Sequence, residues 1–198
     1  MCGMNILSVS DVVVKKLVEL GYKDERLSPD LIIACGDLPP EYLYELRNKY
    51  EVPLFYILGN HDIRHTTPPT GCTNLTGKII YHHGYSFLGF SGSRWYNGNQ
   101  HQYREHQMRA QIRKLWFRLF LLKRLDVVVT HAPPRHIHDK NDRCHRGFTC
   151  YHSLINRHTP HYFLHGHIHK LFDDDADRIT VVGNTKVVNS YGFYTFTL

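Results

Sequence analysis

The sequence predicts an α/β fold in which two mixed β-sheets pack face to face as a sandwich, flanked by helices. Three observations carry the expectation. The first third reads β-α-β-α-β, short apolar runs separated by helical patterns, which favours a largely parallel sheet. The end of the chain reads as strands again. Strands both early and late, with helices between them, ask for two sheets rather than one. A chain of 198 residues, 42% apolar, is long enough to bury that core, and a single domain over residues 1–198 is the expectation.

Taken in order, Asn5–Val9 is the first strand, followed by a helix over Val12–Leu20 that stops at Gly21. The valines within that segment are poor helix formers. Leu31–Cys35 is a strand, Pro40–Tyr50 a helix with proline in its first turn, and Val52–Leu58 a strand. Lys78–Tyr81 and Ser86–Phe90 are short strands around His83-Gly84. Arg104–Leu125 reads as one long helix with Met108, Ile112, Leu115, Trp116, Leu119 and Phe120 on its buried face. Arg109, Arg113, Lys114, Arg118 and Lys123 make the other face, which reads as a solvated stripe. A buried strand at Asp126–Thr130, a helix at Tyr151–His158 and a strand at Tyr162–Leu164 follow. Ile179–Val182 and Lys186–Asn189 form a hairpin about Gly183-Asn184, and Tyr191–Thr197 is the last strand.

Composition narrows the function. The formal charge of +6 points to an anionic partner, with nucleotides, nucleic acid or acidic metabolites as the candidates. No apolar run is long enough to span a bilayer; the nearest, Trp116–Val129, is interrupted by Arg118, Lys123, Arg124 and Asp126. No signal peptide is read at the N-terminus, and the five cysteines suit a reducing compartment. A cytoplasmic protein without a membrane partner is the expectation. The 16 histidines are scattered, several of them just after apolar runs.

Polar residues follow the strands in a regular series. Asp11 comes after Ile6–Val9, Gly36-Asp37 after Leu31–Ile33, and Gly59-Asn60-His61-Asp62 after Phe55–Leu58. His131 comes after Val127–Thr130, and His165-Gly166-His167-Ile168-His169 after Phe163-Leu164. Sites in α/β sheets form beyond the carboxyl ends of strands, where side chains distant in sequence converge. Two aspartates, an asparagine amide and at least three imidazoles give a mixed O and N donor set, suited to manganese, iron or zinc. Two such metals sharing a carboxylate, ~3.5–4 Å apart, could clamp a phosphoryl group and activate a hydroxide. A single Gly-Asp is usually only a turn; the five segments in this order are specific.

On these segments, Asn5 to His169, the chain resembles the calcineurin-like metallophosphoesterases, most closely a small single-domain prokaryotic branch with Cys35–Pro40 and Thr130–Pro134. That family's pattern runs Asp-x-His, Gly-Asp, Gly-Asn-His-Asp/Glu, a strand-end His and Gly-His-x-His. The resemblance implies hydrolysis of phosphoesters by a dinuclear centre and bridging hydroxide. It implies that Asp37 bridges the metals, that Asn60, His131 and His167 complete the second site, and that Asp11 and His169 belong to the first. His61 would stabilise phosphate or protonate the leaving oxygen, with Asp62 orienting it. The chain departs from the pattern at Val13, where the family has histidine. Three alternatives stand open there: water fills the place, a nearby residue such as His65 supplies the ligand, or the first site is weak.

Arg94, His145 and Arg146 are the candidate substrate contacts, set against an equally ordinary reading as surface groups. Cys144-His145 and Cys150-x-His152 match no strong zinc spacing. Absence of a large cap segment favours phosphodiesters over small monoesters. The alternative from another class is a catalytically weak or inactive scaffold that binds a protein partner with the same face.

Overall fold

A computed structural model describes residues 3–19, 27–63 and 67–198. In chain order its elements are β1 (Asn5–Ser10), β2 (Leu31–Ala34), α1 (Pro40–Tyr50), β3 (Leu54–Tyr56), β4 (Cys72–Asn74), β5 (Ile79–His82) and β6 (Tyr85–Phe90). Then come β7 (Ser93–Arg94), β8 (Gln102–Tyr103), α2 (Glu105–Lys114), α3 (Trp116–Leu121) and β9 (Val127–Thr130). The chain ends with α4 (Cys150–His158), β10 (Tyr162–His165), β11 (Ile179–Val182), β12 (Thr185–Asn189) and β13 (Gly192–Thr197). One sheet has the order β13-β1-β2-β3-β4 and the other β11-β12-β10-β9-β6-β5, with β7 and β8 pairing separately. No helix among the described residues is long and apolar enough to cross a membrane.

The strands build a layered core because successive side chains point to opposite faces. Ile6, Ile33, Phe55 and Ile57 of the first sheet meet Phe87, Val127, Val129, Leu164 and Val188 of the second, forming the filling of the sandwich. The alternate residues Leu7, Val9, Ile32, Leu54 and Tyr56 face outward under Tyr42, Leu43 and Leu46 of α1. On the other side Leu88, Phe90, Val128, Phe163 and Val187 are covered by Met108, Leu115, Leu119, Tyr151 and Leu154 from α2, α3 and α4. The expected helix–sheet–sheet–helix layering is therefore the observed one.

This arrangement sets the site. Strands β1, β2, β3 and β4 run parallel, as do β6, β9, β10 and β12. In each sheet the loops that leave the carboxyl ends of these strands emerge along one edge. Strand β13 closes the first sheet antiparallel to β1, pairing Ile6 with Phe196.

Three expectations change. The helix expected over Val12–Leu20 is, in its described part, a single 3-10 turn at Lys15–Leu17. Val12, Val13 and Val14 are β-branched, and the chain at Asp11 is already turned into left-handed conformation, with φ of 66°. Leu20 and Gly21 lie outside the described residues. Second, the long helix is two helices. At Leu115 the amide reverts to an i−3 bond on Ile112 and the helix restarts, leaving Met108, Leu115 and Leu119 buried. Trp116 and Phe120, expected in the core, are exposed. Third, β4 and the β7–β8 pair were not foreseen; they are two or three residues long and polar, without apolar alternation to mark them.

Candidate metal centre

The loops along the carboxyl edge are fastened to one another before any side chain is considered. The Asp11 amide donates to the Gly36 carbonyl (3.1 Å), and the Gly166 amide donates to the His131 carbonyl (3.0 Å). Asp62 Oδ2 accepts from the amides of Asp37 (2.8 Å) and Gly59 (2.7 Å), tying the loops after β2 and β3 together. The Asp11 carboxylate accepts from the His167 amide at 3.1 and 2.9 Å, joining the two sheets.

Two glycines allow this closeness. A Cβ at Gly59 would overlap Asp37 Oδ1, and one at Gly166 would overlap Ser10 Oγ and Asp11 Oδ2. Any side chain at either place would push a carboxylate out of position.

At the centre, donor atoms of Asp37, His131 and His167 all lie within 4.8 Å of one another. His131 is fully buried; its Nδ1 faces the Cys35 carbonyl at 2.9 Å, and its Nε2 lies 3.1 Å from Asn60 Oδ1 and 3.2 Å from Asp37 Oδ2. A carbonyl only accepts, so Nδ1 carries a proton and Nε2 is the atom turned to the centre. His167 is also buried, and its Nε2 donates to the Cys144 carbonyl at 2.8 Å, which leaves Nδ1 with the free lone pair. The Asn60 Nδ2 donates to the Tyr96 hydroxyl (3.2 Å), so its oxygen is turned inward.

Electrostatics agree with this arrangement. Burial alone would raise Asp37, but the His131 charge and hydrogen bond, with the His61 amide (2.7 Å) and the charge of its ring, hold its carboxyl well below the usual range. Burial likewise pulls His131 down, yet the Asp37 carboxylate outweighs it and raises the imidazole to about 9. His167 is lowered, by burial first and by His131 second.

Asp11 and His169 form a second, looser group. His169 Nε2 lies 3.4 Å from Asp11 Oδ1, and the His169 side chain is 58% exposed and stacked on Tyr191 at 5.0 Å. The hydrogen bond to Asp11 raises its pKa. Val12 and Val13 are exposed beside Asp11. His65 lies outside the described residues.

The remaining expected residues divide. His61 is exposed, and its amide donates to Asp37 Oδ1. His145 sits with its ring 5.4 Å from that of His167 and its Nδ1 on Asp142 (2.9 Å). Arg146 donates to the Asn141 carbonyl (3.2 Å). Arg94 is turned to Glu105 (2.6 Å) and lies over the Phe148 ring, the surface-pair alternative weighed for it. The Asp62 contacts that tie the loops are to backbone amides.

Sequence reasoning missed several supporting groups. Tyr96 and the Cys144 carbonyl come from irregular loops, where no periodicity reveals direction. The contact between buried His165 and half-buried His138 was also not foreseen. His165 Nδ1 donates to the Gly166 carbonyl (2.9 Å), which makes its Nε2 the acceptor from His138 Nδ1 (2.8 Å), and Thr180 then donates to His138 Nε2 (2.9 Å). Burial lowers both imidazoles, His138 to about 4, so both are neutral props for the Gly166-His167 turn. The run of alternating histidines marked His165, and the polar stretch after His131 contains His138, but nothing in the sequence joins the two.

The comparisons with known proteins bear on this centre. The family model for calcineurin-like phosphoesterases matches residues 4–171. The chain belongs to that family. No curated protein matches it in sequence. Among solved structures, it is similar to TT1561 of Thermus thermophilus with a TM-score of 0.68 and 15% identity, over 99% of both chains. The phosphopantetheinyl hydrolase of Mycobacterium tuberculosis gives 0.61 and 14%, over 94% of this chain and 88% of that one. A 5'-nucleotidase from Staphylococcus aureus, so described provisionally, gives 0.55 and 13%, over 100% of this chain and 51% of the other. At these identities the likeness is one of fold. Family membership makes the chain a metal-dependent phosphoesterase by kinship, and the Asp37-His131-His167 cluster is a place where a metal could be held.

Proposed function

We propose that the chain hydrolyses phosphodiesters with two divalent metals, manganese first and iron or zinc as alternatives, held at the carboxyl edge of the sandwich. The observation that supports this most is the convergence of Asp37, His131 and His167, one donor atom of each lying within 4.8 Å of the others. Asp37, Asn60, His131 and His167 are assigned to one site. Asp11 and His169 are assigned to the other, with Asp37 shared. Bound there, the metals supply Lewis acidity and a hydroxide nucleophile near neutral pH.

The chain's own groups do the rest. His61 is held by its amide on Asp37 and its side chain is exposed, a station suited to steadying a phosphate oxygen or protonating the leaving oxygen. Asp62 fixes the loops that carry Asp37 and His61. His145 and Arg146, on the loop that covers His167, are the substrate contacts retained; Arg94 is tied to Glu105 and is assigned to that loop's support. Nucleotides or nucleic acid fit the basic charge as substrate class. The cell interior is the expected compartment, and one domain carries the site.

Reconstitution with manganese, iron or zinc, followed by assay of an activated aryl phosphodiester and the matching monoester, tests the reading. Metal-dependent turnover with the diester preferred is expected. Metal binding with turnover of neither ester by any of the three would favour the non-catalytic scaffold instead.

A further inference from the structure

Away from the metal centre, α3 presents a face that the core does not use. Leu115 and Leu119 are buried under it, while Trp116, Phe117, Phe120 and Leu121 are 64%, 56%, 76% and 63% exposed. At 100° per residue these four positions share one side of the helix. Four large apolar side chains, three of them aromatic, on one side of six residues exceed what scattered surface apolar residues explain.

The charge around this face has one sign. From Arg113 to Arg124 the chain carries Arg113, Lys114, Arg118, Lys123 and Arg124, all exposed, and no acidic residue. The flanking acids are already committed, Glu105 to Arg94 and Asp126 to Arg124. A groove of about 1060 Å³ between α2–α3 and α4 continues the face past Trp116 and Phe120; Arg109, Arg113 and Arg157 line it, and no carboxylate does.

We infer that this face docks onto a membrane surface rich in anionic lipid, with the aromatic side chains entering the headgroup region and the basic rim meeting the phosphates. Exposed tryptophan, phenylalanine and leucine beside a lysine- and arginine-rich border is the composition of a helix that lies in the interface. A second copy of the chain is disfavoured as occupant, because two such faces would set arginine against arginine. Double-stranded nucleic acid would use the basic rim but leave Leu121 and the phenylalanines in water. The expectation of no membrane partner rested on the lack of a long apolar run; docking needs a face, and α3 supplies one. This inference is independent of the reading of the metal centre.

Flotation with vesicles of phosphatidylcholine alone, or mixed with phosphatidylglycerol, tests it. The full chain should float with the mixed vesicles only, and raising salt should weaken binding by about tenfold or more. In a Trp95→Phe background, the Trp116 emission should shift to the blue on binding. The double variant Phe117→Ser with Phe120→Ser, checked for an unchanged melting transition, should lose binding by about tenfold or more. Lys114→Glu with Arg118→Glu should do the same without altering the apolar face. Failure of the full chain to float, equal binding to neutral vesicles, or undiminished binding by both double variants would overturn the inference. So would a stable dimer in solution that Phe117→Ser with Phe120→Ser dissolves.

Discussion

The two halves of the candidate metal centre are built to different standards. The Asp37 half is enclosed: His131 and His167 are buried, each with one ring nitrogen fixed on a backbone carbonyl, and Asn60 is oriented by Tyr96. The Asp11 half is open, with His169 more than half exposed and valine at position 13. Side chains held by outer hydrogen bonds lose little freedom when a metal arrives, whereas an exposed imidazole must be ordered at that moment. The comparison teaches that the missing histidine is only part of the asymmetry. Beside a buried Asp11 carboxylate that accepts from the His167 amide, the exposed imidazole of His169 is the least supported side chain of the set.

The largest effect should come from Asp37→Asn, because Asp37 is the group assigned to both halves. The left-handed backbone there, with φ of 55°, suits asparagine, so the fold should survive. Metal content should fall in both halves and turnover should drop by more than about 10³-fold, beyond the 10–100-fold usual for outer-shell changes. Retention of two metals per chain, measured by elemental analysis, would break the shared-ligand assignment.

His61→Ala should come next, with turnover down about 10²–10⁴-fold and metal content unchanged. The loss should shrink with a good leaving group if proton donation is the main role. A variant that arrives without metal would place His61 among the ligands.

Gly59→Ala should act on both halves through Asp37, since the added methyl would overlap Asp37 Oδ1. Affinity should weaken by about 10–100-fold in each, the range for displaced supporting groups. Weakening confined to the enclosed half would mean that Asp37 is not shared.

How much of this was legible beforehand follows from how each residue is placed. Asp11 and His131 follow a strand directly, and Asp37, Asn60 and His167 follow one after a short turn, so the parallel order of the strands brings them to one edge. The period-2 core of Leu31–Ala34 and Val127–Thr130 was equally plain. The rest was hidden because its determinants are not local. Tyr96, Cys144 and His138 reach the centre through loops whose paths depend on Gln102, Asp142 and Asp139 bonding their own neighbourhoods. The break at Leu115 arises where Leu115 and Leu119 dip into the second sheet, something the helical period cannot reveal. Val13 falls within the helix expected over Val12–Leu20; with only a 3-10 turn following it, it is 39% exposed.

That exposure sharpens a smaller prediction. Val13→His should cost little stability and tighten the open half by about tenfold at most, the scale of one added ligand offset by ordering. If the variant binds no better and the wild-type halves are already equal, another side chain fills the place, and His65 is the first to test.

The most direct measurement is calorimetric titration of manganese into metal-free protein, at two pH values and in two buffers of different ionisation heat. The account predicts two unequal sites. The tighter one should release a proton below pH of about 9, because metal must displace the proton that Asp37 holds on His131, and its affinity should therefore fall as pH falls. A single class of two equal sites, or tight binding without proton release, would contradict it.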